Sequence, residues 1–163
     1  PVHDPAPEIR DHSGVEGYLS NQSESCDCSV KIDDLQVGKL VNDFPLRIGA
    51  DDVSAYLLAT GDYSPDWLTE KLVPPQMIVT EIIGKILEVL ELPKNLVHTG
   101  QEHIANARVS FDTALRITAT VSQLSERAGT TIVVFDSQVT DSQGNKCLES
   151  KTKVIVLGGD TRD

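Results

Sequence analysis

The first apolar pattern with the spacing of a helix lies in residues 50–60. Within residues 50–60, Val53, Tyr56 and Leu57 recur on one face of a helical repeat. Either of the two aspartates at its start can cap the free N–H groups of the first turn. Gly61 follows as a natural stop. The pattern predicts a short amphipathic helix over residues 50–60.

A longer stretch, residues 76–92, is apolar around most of its circumference. A helix with so wide an apolar surface is typically enclosed by other structure. Pro75 suits the first turn, where no N–H donor is needed, and Pro93 is placed to end the helix. The pattern therefore predicts one long buried helix, separated from the shorter one by a loop.

The remaining patterns alternate and are rich in β-branched residues, which predicts strands. One strand precedes the helices and four follow them, at residues 40–48, 98–111, 115–124, 130–139 and 146–157. Pro45 favours an edge or a bulge for the first strand. Turn-forming residues between the later strands predict antiparallel hairpins. The order predicts an α+β fold, with an antiparallel sheet wrapped around one long central helix.

Residues 1–34 lack this periodicity and are polar, acidic and interrupted by proline and glycine. They predict a flexible N-terminal extension, followed by one domain over residues 35–163. The chain has 163 residues, of which 39% are apolar and only 4% aromatic. The core is therefore expected to consist mainly of aliphatic side chains.

The net charge of −11 disfavours binding to nucleic acid or to an anionic membrane. No apolar run approaches the roughly 20 residues of a membrane span, and no signal peptide is recognisable, so we expect a cytoplasmic protein. Cys26, Cys28 and Cys147 do not form a disulfide framework, and no second Cys/His pair completes a zinc site. We expect free thiols and no metal.

Residues 59–67 read Ala-Thr-Gly-Asp-Tyr-Ser-Pro-Asp-Trp. This run resembles the active-site signature of the MaoC-like dehydratases and (R)-specific enoyl-thioester hydratases, which reads small residue, Gly, Asp, any residue, Asn, Pro, any residue, His. Three positions match, namely Gly61, Asp62 and Pro65. Ser64 stands where asparagine is usual, and Trp67 stands where the family has its catalytic histidine.

Two further segments carry the resemblance. Residues 73–77 look like the family's proline-containing entry to its central helix, and residues 100–103 with 109–111 look like one of its strands. Together with the signature, they imply a single hotdog fold. The sheet of one hotdog unit leaves an unpaired edge, so a homodimer or a heterodimer with a similar chain is expected.

The resemblance also implies chemistry on acyl thioesters. In this family, water is added across the double bond next to a coenzyme A or carrier-protein thioester, or removed from it, without a separate cofactor. Asp62 matches the catalytic aspartate, although it could instead only cap the turn after Gly61. The N–H groups of Gln76 and Met77 are placed to stabilise negative charge on the thioester oxygen. The predicted substrate-binding residues are Trp67, Pro75, Gln76, Met77 and Thr80.

Trp67 cannot replace the histidine as a base, because the indole N–H only donates. It is either a wall of the pocket or an anchor of the core. Two other residues are candidate substitute bases. Glu81 lies among apolar neighbours on the long helix, a setting that favours proton uptake by a carboxylate and would suit it to act as a base. The alternative is that it faces solvent and pairs with Lys85 one turn later. His103, on a strand after that helix, is the other candidate base. The alternative is that it is a surface or interface histidine.

Three functional hypotheses follow. The chain is a degenerate subunit that holds an acyl thioester while a partner chain performs the chemistry, or an active dehydratase with a substitute base. A thioesterase-like hotdog enzyme is a weaker alternative, since thioesterases of this fold do not usually carry the Gly-Asp-x-x-Pro order. The histidine missing at Trp67 is what separates the first two hypotheses.

Overall fold

The structure, a computed structural model, describes residues 29–158. Its main feature is a five-stranded antiparallel sheet. Across the sheet, the strands lie in the order β2 (Leu40–Leu46), β5 (Leu115–Arg127), β6 (Thr130–Asp141), β7 (Lys146–Val156) and β4 (Leu96–Ala105). The strand β2, which contains Pro45, lies at one edge as predicted, and β4 lies at the other.

Three helices accompany the sheet, namely α1 (Ala50–Thr60), α2 (Asp66–Thr69) and α3 (Pro75–Val89). The helix α3 is the predicted central helix, and it buries Met77, Ile78, Val79, Ile82 and Ile86. Only one narrow stripe, at every fourth residue from Gln76, is exposed to solvent. Each buried aliphatic side chain contributes about 1.5–3 kcal/mol to folding. The predicted α+β hotdog arrangement is confirmed.

The strand register places the core on one face of the sheet. Directly paired residues point to the same face, so Ile117 of β5, Val139 of β6 and Leu148 of β7 form one buried row across the strands. Val121 and Phe135 belong to a parallel row, and both are buried. These rows face α3, whose apolar side chains complete the core.

The end of α3 differs from the prediction. The helix stops at Val89, three residues early, and Leu90–Glu91 form a short strand, β3, that pairs in parallel with β1 (Val30–Lys31). A 3₁₀ turn at Ile32–Asp34 follows β1 and buries Ile32. Residues 30–34 of the predicted extension therefore pack on the domain. The rest of that extension, with Cys26 and Cys28, lies outside the described residues.

The first predicted hairpin is wrong. The strand β4 ends at Ala105, and it pairs with β7 rather than with β5. Residues 106–111, predicted as strand, leave the sheet instead. The hairpins β5–β6 and β6–β7 form as predicted. Within residues 29–158, no helix is both long and apolar enough to cross a membrane.

Candidate functional site

A cavity of about 680 Å³ lies where α2, the start of α3 and the end of β4 meet. Its lining combines apolar side chains with a nearly equal share of polar ones. The residues that line it include Asp62, Asp66, Trp67, Glu70, Val73, Pro75, Ile78, Ala105, Arg108, Val109, Cys147 and Leu148. The run that carries the family signature therefore borders the cavity.

The turn after α1 sets the position of Asp62. Gly61 ends the helix in the left-handed conformation, at φ 71°, which glycine adopts without strain. The Asp62 N–H then donates to the Leu57 carbonyl at 3.0 Å. The Asp62 Oδ1 atom accepts from the Ser64 N–H at 2.9 Å, which closes a tight turn. Asp62 thus caps the turn and lines the cavity at the same time.

Trp67 contacts the same carboxylate from α2. Its indole Nε1–H donates to Asp62 Oδ2 at 3.0 Å. The indole ring is half-buried and packs against the core. Because this N–H only donates, it can orient the carboxylate but cannot accept a proton from water. Both oxygens of Asp62 therefore accept hydrogen bonds from groups that have no basic character.

The opposite wall is the segment that leaves the sheet after β4. The Val73 N–H donates to the Val109 carbonyl at 2.8 Å, and the Phe111 N–H donates to the Lys71 carbonyl at 2.9 Å. The Asn106 N–H donates to the Cys147 carbonyl at 2.9 Å. These backbone bonds fix the segment against β7 and against the residues that link α2 to α3, so the wall is held from two sides.

This wall was missed in the sequence. Its signal was the loss of alternation at residues 105–108, where small and polar residues replace the β-branched pattern of the strand. Cys147 and Leu148 at the start of β7 were also missed, because their approach to the cavity depends on the pairing of β7 with β4.

The electrostatics of the cavity are acidic. Asp62, Asp66 and Glu70 are carboxylates, and Arg108 is the cation among the lining residues. Arg108 Nη1 lies 3.2 Å from Glu70 Oε2 in an exposed ion pair, which contributes little to stability. Burial raises the pKa of the Cys147 thiol, and the charge of Asp141 adds to this effect. Cys147 is therefore a neutral, weakly nucleophilic wall residue.

The predicted substrate-binding residues are only partly brought together. Trp67 and Pro75 line the cavity. Gln76 and Thr80 lie on the exposed stripe of α3, while Met77 is buried in the core. The Met77 N–H donates to the Pro74 carbonyl at 3.0 Å, so one of the two predicted donors to a thioester oxygen is already engaged.

Neither candidate base lies with Asp62. Glu81 is half-buried on α3 and does not line the cavity. Its expected partner Lys85 pairs instead with Glu88, at 2.7 Å between Nζ and Oε2. His103 pairs with Ser150 across β4 and β7, two residues along the strand from Ala105 and outside the cavity lining.

The part of the chain that the structure describes contains no group of three His, Cys, Asp or Glu residues that could hold a metal ion. The polar side chains of the cavity are three carboxylates, one indole, one guanidinium, the Ser64 hydroxyl, the Asn106 amide and the Cys147 thiol. Such a set can bind and orient a ligand, but it offers no proton acceptor other than the carboxylates.

Comparison with known proteins gives matches in structure only. No protein-family model matches the chain, and no curated protein matches it. The R-hydratase PhaJ1 from Pseudomonas aeruginosa superposes with a TM-score of 0.64 at 16% identity, covering 78% of this chain and 85% of that one. The MaoC-like dehydratase from Rhodospirillum rubrum gives 0.61 at 18%, covering 80% and 99%.

The third structure is the HadBC (3R-hydroxyacyl-ACP dehydratase) complex from Mycobacterium tuberculosis. It gives a TM-score of 0.62 at 17% identity, covering 73% of this chain and 96% of that chain. Identities this low establish the fold and leave the activity open. The resemblance carried by the signature is confirmed at that level: the chain has the hotdog fold of the MaoC-like dehydratases and (R)-hydratases.

Proposed function

We propose that this chain is an acyl-thioester-binding subunit of a hotdog hydratase or dehydratase, and that it lacks a base of its own. The observation that carries the proposal is the hydrogen bond from Trp67 Nε1 to Asp62 Oδ2. Trp67 keeps a hydrogen-bond donor to the aspartate at the position of the family's histidine, but its indole has no nitrogen that can accept a proton.

The size and lining of the cavity suit an acyl group. A volume of about 680 Å³ falls within the range of small-molecule sites. The apolar wall of Val73, Ile78, Val109 and Leu148 supplies a surface against which a hydrocarbon chain can pack. Hydration adds water to a carbon–carbon double bond with no net oxidation or reduction, so the proposal requires no redox cofactor.

An active enzyme that uses Glu81 or His103 has less support. A general base must reach the water it deprotonates directly or through one water. Neither side chain lines the cavity that Asp62 borders. No observation favours a thioesterase, so the acyl-thioester-binding subunit remains the proposal.

A partner chain completes the proposal. The outer edge of β4 has no neighbouring strand within residues 29–158, and such edges commonly pair with another chain. Among the similar structures, HadBC is itself a complex. We expect a homodimer, or a heterodimer in which a second hotdog chain supplies an intact aspartate and histidine.

Hydration of crotonyl-CoA by the purified chain tests the proposal. We expect no turnover above background by the chain alone. Trp67→His should introduce turnover if the rest of the site is intact, since a positioned base contributes about 10²–10⁴-fold. Trp67→Phe is the matched control, because it removes the indole donor without adding a base.

Two results would count against this reading. Robust turnover by the unmodified chain, abolished by Asp62→Ala, would show that the chain is itself an enzyme. Binding assays with the saturated analogue butyryl-CoA separate loss of chemistry from loss of binding. Absence of binding even at high ligand concentration, by butyryl-CoA and also by the butyryl thioester of N-acetylcysteamine, which lacks the phosphates, would show that the cavity is not an acyl-thioester site.

A further inference from the structure

A row of polar side chains lies on the face of the sheet that packs against α3, beside the cavity. Its members are Gln101 of β4, Ser137 of β6, and Ser150 and Thr152 of β7. Ser137 and Thr152 are each 2% exposed, and Ser150 is 6% exposed. Apart from the half-buried His103, which pairs directly with Ser150, their neighbours on the same face are apolar, so hydroxyl groups are unusual occupants of this part of the core.

The strand register connects this row to the cavity. Ala105 and Leu148 are paired and both line the cavity wall. Two residues further along the same strands, Ser150 pairs with His103 on one side and with Ser137 on the other. Each such step is about 7 Å along a strand. The polar row therefore begins about one step beyond the cavity wall, on the same face.

Three oxygens in the row have no partner within the described chain. Gln101 Nε2 donates to Ser150 Oγ at 2.6 Å. Gln101 Oε1, Ser137 Oγ and Thr152 Oγ1 are buried and make no hydrogen bond within residues 29–158. A buried polar atom without a partner destabilises the fold, and alanine or valine at these positions would remove that cost.

The three unpaired oxygens lie close together. Gln101 and Thr152 are directly paired, and Ser137 is diagonal to Thr152. Directly paired side chains have Cβ atoms about 5 Å apart, and diagonal ones about 7 Å. Two of the groups are hydroxyls that can donate, and the third is an amide oxygen that can only accept. Together they match the two lone pairs and the single hydrogen of one ligand hydroxyl.

We propose that this row is a subsite for a hydroxyl group on the distal part of the ligand's acyl chain. The inference rests on the proposed binding of an acyl thioester in the cavity, and it specifies the class of acyl group: a hydroxylated chain rather than a plain hydrocarbon. Gln101 lies on the edge strand and is only half-buried, so its side chain is the member that can rotate to admit the ligand.

The test compares matched ligands by calorimetry. The probes are hexanoyl, octanoyl and decanoyl thioesters of N-acetylcysteamine, each with and without a terminal hydroxyl. They are saturated, so they cannot be hydrated, and they lack the phosphates of coenzyme A. For the chain length that reaches the row, the hydroxylated ligand should bind about tenfold more tightly, as expected for one well-placed hydrogen bond.

Two variants assign this preference to the row. Ser137→Ala and Thr152→Val should each reduce the preference for the hydroxylated ligand, while the affinity for the plain ligand stays constant or improves. Both should raise the melting temperature of the free protein, because each removes an unpaired buried hydroxyl. Thr118→Val, on the opposite face of the same sheet, is the matched control and should leave the preference unchanged.

The possible failures are distinguishable. If plain and hydroxylated thioesters bind equally at every chain length, the subsite is wrong while the acyl-thioester proposal stands. If the preference is present but persists in both variants, another part of the cavity causes it and the subsite is again wrong. If no thioester binds at all, the proposed function fails and this inference fails with it.

Discussion

The hydrogen bond from Trp67 to Asp62 is central to the proposed function, so its energy is the first quantity to measure. The indole N–H donates to a carboxylate on the protein surface, where water competes for both groups. We expect a double-mutant cycle of Trp67→Phe and Asp62→Ala to give a coupling free energy of about 0.5–1 kcal/mol in urea unfolding. The phenyl ring keeps most of the packing, so the cycle isolates the hydrogen bond.

A second cycle provides the control. Thr118 lies on the sheet and makes no contact with this turn, so Trp67→Phe and Thr118→Val should be additive within about 0.5 kcal/mol. A coupling between Trp67 and Asp62 no larger than that of the control pair would mean that the hydrogen bond is not formed in solution.

At the level of single residues, the sequence located Asp62 and Trp67 but not the bond between them. That bond depends on α2, a four-residue helix inside a stretch predicted as loop, which turns the indole back toward the carboxylate. The positions of Gln76, Met77 and Thr80 could not be predicted for a different reason. When apolar residues cover most of a helix, its rotation about its own axis is set by packing rather than by the pattern.

At the scale of secondary-structure elements, the turn between β6 and β7 contains a carboxylate, Asp141, whose pKa is lowered by the hydrogen bonds of the turn. Asp141 accepts hydrogen bonds from the side chain and backbone N–H of Asn145 and from the backbone N–H of Gln143, all at 2.9 Å. The bond from the Asn145 side chain is the largest of the causes that hold the pKa of Asp141 below its ordinary value. The folded state thus favours the ionised carboxylate more than the unfolded state does.

This shift gives a stability that depends on pH. The contribution is fully present above the ordinary carboxyl pKa of 3.8, and it is lost as the pH falls through the lower pKa of the folded state. Asp141→Asn should therefore be less stable than the parent near neutral pH and should lose less of its free energy of unfolding on acidification. Urea titrations between about pH 7 and about pH 3 measure both effects.

Ser142→Ala is the control for this hairpin. The residue lies in the same turn, is exposed and does not titrate, so its acid dependence should follow that of the parent chain. Equal acid dependence in Asp141→Asn and the parent would contradict the assigned role of the carboxylate.

The elements were predicted most accurately where the signal is local. The helix α1 begins and ends at the predicted residues, because an acidic first turn and Gly61 mark both ends. The end of α3 was predicted wrongly, because Leu90–Glu91 pair with β1, some 60 residues earlier in the chain. The path after Ala105 was likewise fixed by a distant pairing, that of β4 with β7. Local pattern carries no information on such partners.

For the molecule as a whole, charge decides what can approach the cavity. The chain has a net charge of −11, and the cavity itself is lined by three carboxylates and by one arginine, which already pairs with Glu70. A coenzyme A thioester or an acidic carrier protein would meet repulsion at this opening. A partner chain that contributes lysine or arginine beside the opening would remove that repulsion, which agrees with the proposal of a subunit that acts only in an assembly.

The outer edge of β4 is where such an assembly is expected to form. The strand is ten residues long, and Ile104 on it is 63% exposed. A charge on an exposed edge strand prevents pairing with another strand, whereas a surface substitution changes stability by only about 0.5 kcal/mol. Ile104→Lys should therefore convert a dimer into a folded monomer, as measured by light scattering after size-exclusion chromatography and by a thermal transition that remains cooperative.

Leu58→Lys separates the edge from the effect of charge alone. Leu58 lies on α1 and is 75% exposed, so this substitution places the same lysine on another apolar surface residue. Both variants alter the net charge equally and therefore change the long-range repulsion between chains by a similar amount. Dissociation in Ile104→Lys alone locates the interface at β4. Dissociation in both variants, or in neither, would place it elsewhere, and a partner would then meet the cavity from a different side of the sheet.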